Sequence, residues 1–163
     1  MIKYLYFVAC EGGNKDLVKF LVEYGADKYK KDDFDDTPLF YACKSGNKDL
    51  VKYLVEHSVN INQENAYGRT PLFDSCESGN KDLVEYLVKF GININKEDEK
   101  GEIPLFNACY SGNKDLVEYL VEYLVGYGAD INKENKYGEI PLYYACESGN
   151  KDLVQYLVEH GAE

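Results

Sequence analysis

The chain has 163 residues, 45% of them hydrophobic, and 29 acidic against 18 basic side chains leave it with a net charge of -11. That balance argues against a duplex nucleic-acid ligand, because neutralising phosphates takes clustered Lys and Arg and the sequence holds a single arginine, Arg69. The apolar stretch in residues 1–13 is too short and too interrupted for a membrane span or a secretory core, so a soluble, cytoplasmic protein without membrane association is expected.

Taken in order, the chain first offers Ile2, Leu5, Tyr6 and Ala9 at spacings of three and four, one face of a helix. Glu11, Gly12 and Gly13 end it. Asn14 then stands as an N-cap, Asp16 falls in the first turn, Leu17, Val18, Leu21 and Val22 make an apolar stripe, and Gly25 closes the second helix. The same grammar restarts at Asn47, Asn80, Asn113 and Asn150. Thr37, Thr70, Ile103 and Ile140 lie 33, 33 and 37 residues apart, each before a proline suited to the first helical position. Thr37 and Thr70 are placed to cap that helix. The repeat divides the chain into five units, residues 1–27, 34–60, 67–93, 100–130 and 137–163, joined by links at 28–36, 61–69, 94–102 and 131–139.

Local departures carry their own expectations. Ser58 replaces the closing Gly of the second unit, and Asp35 replaces the Gly found late in the other links at Gly68, Gly101 and Gly138; Asp tolerates a left-handed backbone better than most residues. In the fourth unit LVEYLVEYLVGYG, residues 116–128, duplicates four residues, slightly more than one helical turn. A second helix one turn longer than its siblings follows, with a satellite core or small exposed patch near Tyr123 and Leu124.

Residues that carry chemistry elsewhere read here as packing or turns. Cys10, Cys43, Cys76, Cys109 and Cys146 occur once per unit at one register. Helices packed about 8–10 Å apart hold such cysteines beyond the roughly 7 Å limit for a disulfide, so all five are expected reduced and buried. His57 and His160 sit at helix ends, no serine stands in a nucleophile elbow, and the acidic run at residues 95–102 lacks a calcium-loop register. No enzymatic activity, cofactor or metal is expected.

The 33-residue period, TPL at residues 37–39 and 70–72, the following Ala42, and the GNKDLV run beginning at Gly46, Gly79, Gly112 and Gly149 resemble the ankyrin repeat over nearly the whole chain. The resemblance implies an all-α solenoid of five stacked helix-loop-helix units with β-hairpins at the links. It departs where the family carries His after the Leu: Phe40, Phe73, Phe106 and Tyr143 stand there, so the family's Thr–His hydrogen bond is absent.

The resemblance further implies non-enzymatic protein–protein recognition through a concave face made of hairpin tips and first helices. Carried onto this sequence, the helix positions are Tyr41 and Lys44, Asp74 and Glu77, Asn107 and Tyr110, Tyr144 and Glu147. The tip positions include Phe34 and Asp36, Tyr67 and Arg69, Lys100 and Glu102, Tyr137 and Glu139. Tyr41, Tyr110 and Tyr144 amid carboxylates suit anchors and rim for a protein or peptide partner, and the net charge points to a basic one. The second reading is a structural or self-associating repeat element, a weak homo-oligomer through its terminal units, because Leu153, Val154, Leu157 and Val158 form no polar outer stripe.

Overall fold

The computed structural model describes residues 2–57, 59–126 and 130–163. Ten helices run through them in five consecutive pairs: α1 (Ile2–Glu11) with α2 (Lys15–Glu23), α3 (Pro38–Lys44) with α4 (Lys48–Glu56), α5 (Pro71–Glu77) with α6 (Lys81–Lys89), α7 (Pro104–Ser111) with α8 (Lys114–Gly126), and α9 (Pro141–Ser148) with α10 (Lys151–Glu159). Each first helix packs on the next first helix and each second helix on the next second helix, giving two layers.

Every second helix starts at its asparagine. The side-chain oxygens of Asn14, Asn47, Asn80, Asn113 and Asn150 accept the backbone N–H of Leu17, Leu50, Leu83, Leu116 and Leu153 at 3.0–3.2 Å, satisfying a donor that the helix leaves orphaned. An aspartate sits in each of those first turns, where the helix dipole favours it. α8 spans 13 residues where its siblings span 9, so the duplicated YLVE continues the helix by one turn. Ser58 and the side chain of Leu124 lie outside the described residues.

The core lies between the layers and between successive pairs. Leu50, Leu83, Leu116 and Leu153 are fully buried, as are Val51, Val84 and Val117 and the rings of Phe73 and Phe106. Cys10, Cys43, Cys76 and Cys109 are buried free thiols, and burial pushes the pKa of each upward, which keeps them protonated and unreactive. Cys146, expected to join them, is exposed. α9 and α10 have a packed neighbour on one side only, and Cys146 faces the other.

The expected β-hairpins are not formed: no strand is present among the described residues. Asp32, Asn65, Asp98 and Asn135 stand at one register of the four links, and each side-chain oxygen takes the backbone N–H two and four residues on, at 2.8–3.0 Å. Donors that a strand ladder would need are thereby spent on the turn. Two backbone bonds close each link on itself, as from Asp98 N–H to the Glu102 carbonyl and from Gly101 N–H to the Asp98 carbonyl, both at 2.9 Å. The next bond runs sideways: the N–H groups of Ala66, Glu99 and Lys136 reach the carbonyls of Phe34, Tyr67 and Lys100 on the preceding link at 2.8–2.9 Å. The links are therefore tight turns laced in a row. Asp35 keeps its turn with φ 63°, while Gly68, Gly101 and Gly138 hold the equivalent place at φ 70–76°.

The threonine caps are also absent. Thr37 and Thr70 precede their helices in extended conformation, yet their hydroxyls make no cap bond, and both oxygens are buried without a partner. Phe40 and Phe73, standing where the resembling family carries His, offer no acceptor. Ile103 and Ile140 hold the same backbone conformation, so proline and packing alone set these corners.

Candidate functional site

The first helices and the turn tips bring most of the anticipated residues onto one side of the stack. Two registers run along it. Tyr41, Asp74, Asn107 and Tyr144 occupy the inner one, and Lys44, Glu77, Tyr110 and Glu147 the outer one. Inner residues are half-buried or, for Asn107, buried; outer ones are exposed. Tyr41 and Tyr144 thus share a register three pairs apart, while Tyr110 belongs to the other, so the three tyrosines do not form a single row.

A hydrogen-bonded network fixes the middle of this face. Arg69 donates from Nε to Asp98 Oδ2 at 2.8 Å and from Nη2 to Glu102 Oε2 at 3.2 Å, and its guanidinium lies over the Phe73 ring. Both carboxylates are buried. The other Glu102 oxygen accepts from the Tyr144 hydroxyl at 3.0 Å and from Asn135 Nδ2 at 3.3 Å. Asn135 Nδ2 also donates to Glu139 Oε2 at 2.8 Å, and the single Tyr144 hydroxyl proton is shared between Glu102 and that same oxygen at 2.9 Å, which together hold the Glu139 carboxyl below its ordinary range. Without Arg69, two buried carboxylates would lose the cation that pairs with both, a costly arrangement.

Tyr41 and Tyr144 are committed internally. Tyr41 donates to Asp32 Oδ2 at 2.6 Å. Burial first, then these hydrogen bonds to carboxylates, raises the pKa of both phenols, so they remain neutral donors. Tyr110 is 57% exposed and stands with Glu77, Asn107 and Tyr144 around a cleft of about 250 Å³ that Arg69, Lys100, Glu102 and Phe106 complete. Asn107 Nδ2 approaches Glu77 Oε2 at 3.4 Å across its rim.

Asp74 is a carboxyl held in an unfavourable place on this face. Burial, with Asp36 and Glu77 nearby, pushes its carboxyl pKa up to about 7, and Arg69 and Lys44 only partly offset this. Part of the side chain still reaches the surface, which limits the desolvation cost. Asp36 is raised in the same way, chiefly by burial, and Asn65 Nδ2 donates to its oxygen at 2.8 Å.

Along the tips, Phe34 and Tyr67 stack with centroids 6.1 Å apart, and Tyr137 and Lys100 are exposed. The residues that organise these tips, Asp32, Asn65, Asp98 and Asn135, are not among the anticipated site positions. Their signal is visible in the chain: an Asp or Asn at one register in all four links. Asp32 alone accepts three hydrogen bonds, from the backbone N–H groups of Phe34 and Asp36 and from the Tyr41 hydroxyl.

The stack of helix pairs agrees with what a comparison of the sequence finds. A family profile described as ankyrin repeats in three copies matches residues 5–98 and 90–163. The chain belongs to the ankyrin-repeat family. A search of curated proteins found no match. Ankyrin-repeat proteins are a non-catalytic family whose helical stacks generally serve protein–protein interaction. In this ankyrin-repeat chain no group of three or more His, Cys, Asp or Glu side chains is arranged to hold a metal ion among the described residues. Among the same residues, no helix is long and apolar enough to cross a membrane.

Proposed function

We propose that this ankyrin-repeat chain binds a basic protein segment or peptide along the concave side formed by its first helices and turn tips, in the reducing cytoplasm. The observation that carries the reading is Tyr110, an exposed aromatic ring beside Glu77 at the rim of the 250 Å³ cleft. An aromatic group next to a pocket edge is the residue type that dominates binding energy. Tyr41 and Tyr144 spend their hydroxyls inside the chain, so they shape the floor, and Tyr110 is the anchor. Arg69 is held by Asp98 and Glu102 and Glu77 is matched at the cleft by the exposed Lys100, so it is the net charge of -11 that favours a cationic ligand and speeds its encounter.

Selection from a random displayed-peptide library tests this. Recovered peptides are expected to be rich in Lys and Arg, to bind more weakly as salt rises, and to lose about tenfold in affinity on Tyr110→Ala. Peptides that bind the Tyr110→Ala protein as tightly as the parent would place the site elsewhere. Acidic or neutral peptides would remove the charge argument.

A further inference from the structure

The two ends of the stack carry the two halves of a joint that the chain already makes four times. At each internal joint the later pair contributes a leucine and an asparagine, and the earlier pair contributes an aromatic ring, a cysteine and valines. Leu50, Leu83, Leu116 and Leu153 are each 0% exposed, but Leu17, at the same register in the first pair, is 42% exposed. Conversely Phe40, Phe73 and Phe106 are no more than 2% exposed, whereas Tyr143 in the last pair is 48% exposed. Cys146 and Val158 are exposed too, unlike Cys43 and Val55. What is bare at one end is therefore complementary to what is bare at the other.

A polar lock sets the register of every internal joint. The side-chain amides of Asn47, Asn80, Asn113 and Asn150 donate to the carbonyls of Gly13, Gly46, Gly79 and Gly112 at 2.7–2.8 Å. A methyl group on any of those glycines would meet the next pair at 3.3–3.7 Å, but on Gly149 it would meet nothing. Among the described residues, the Asn14 amide has no corresponding acceptor and the Gly149 carbonyl no corresponding donor. The donor is at one end and the acceptor at the other.

We infer that the chain stacks head to tail on a second copy of itself, the α1–α2 face of one copy seating on the α9–α10 face of another, with Asn14 Nδ2 donating to the Gly149 carbonyl across the joint. The same geometry would bring Lys151 over Phe20, as Lys114 lies over the Tyr156 ring within the chain. Because the two faces differ, the contact is heterologous and continues into open chains of copies rather than stopping at a dimer. Each copy carries a charge of -11, so repulsion opposes stacking and salt relieves it. This salt response is opposite to that of a basic ligand in the groove, and it does not depend on that reading.

Sedimentation of the whole chain from micromolar to about 1 mM, at low and high salt, provides the test. The weight-average mass is expected to climb from 18.6 kDa with both concentration and salt, and labelling of the Cys146 thiol is expected to slow as it does. Leu17→Asp spoils only the first face and Val158→Asp only the last. Each variant alone should remain monomeric, and their equimolar mixture should give a 1:1 dimer that grows no further. Circular dichroism checks folding, with Leu5→Asp, which is 46% exposed at the register of the buried Pro38, Pro71, Pro104 and Pro141, replacing Leu17→Asp if the latter unfolds. A strict monomer at the highest concentration and salt overturns the inference. So does assembly of either single variant as in the parent, or a mixture that stays monomeric.

Discussion

Asn80 joins two helix pairs with one side chain: its amide nitrogen donates to the Gly46 carbonyl at 2.8 Å while its oxygen accepts the Leu83 N–H at 3.1 Å. The first bond reaches back 34 residues and the second forward three. Helix capping and inter-pair register thus depend on the same group, which couples the folding of adjacent pairs in a stack whose contacts are otherwise between nearest neighbours.

The coupling has a measurable size. Asn80→Ala loses a cap worth about 1 kcal/mol and leaves a carbonyl short of a partner for about 1 kcal/mol more. Asn14→Ala, with no such carbonyl to serve in the single chain, should cost only the cap. Urea unfolding at low protein concentration checks the difference. Asn80→Asp, which keeps the acceptor and removes the donor, should lose mainly the second part. Equal costs for Asn14→Ala and Asn80→Ala would show that the inter-pair bond contributes nothing net.

Thr70 gives a prediction of the opposite sign. Its hydroxyl is buried without a partner, and Ile103 makes the equivalent corner with no hydroxyl at all. Replacing a buried unpaired polar group with an apolar one of the same shape removes its desolvation cost. Thr70→Val is expected to leave stability unchanged or to raise it by about 1 kcal/mol. A loss of that size in thermal or urea unfolding would mean that the hydroxyl does cap its helix in solution.

These residues also show which parts of the molecule could be read from the chain. The period located the pairs, and Asn14 to Asn150 announced five helix starts, because capping is a local property of an Asx residue before an apolar stripe. The duplicated YLVE likewise announced the longer α8. The second bond of each asparagine was hidden, since its acceptor lies a whole repeat away. Hairpins were expected from the resemblance, and they fail because Asp32, Asn65, Asp98 and Asn135 take the backbone donors. On the first-helix face, residue type located Tyr41, Tyr110 and Tyr144 but not their use. Whether a phenol anchors a partner or spends its hydroxyl on Asp32 or Glu139 depends on turns folded from other parts of the chain.

Asp74 links that face to pH. Its carboxyl is raised from 3.8 to about 7, by burial first and then by Asp36 and Glu77. Between roughly pH 4 and 7 the folded chain therefore holds a proton that the unfolded chain has released, so stability falls as pH climbs through this window and the full penalty applies above it. Asn carries no such penalty. Asp74→Asn should match the parent near pH 4, gain progressively to pH 7, and level off about 1–3 kcal/mol more stable, a figure reduced for the partly exposed side chain. Urea unfolding at pH 4.5, 6 and 8 measures the trend, and a pH-independent difference would show that Asp74 titrates as a solvated carboxylate. A cationic ligand changes the balance in the other direction, because its charge stabilises the ionised form that the folded chain alone disfavours. Affinity for a basic peptide on the groove should then rise between pH 6 and 8 in the parent and stay flatter in Asp74→Asn, which locates the peptide over Asp74 independently of any change in stability.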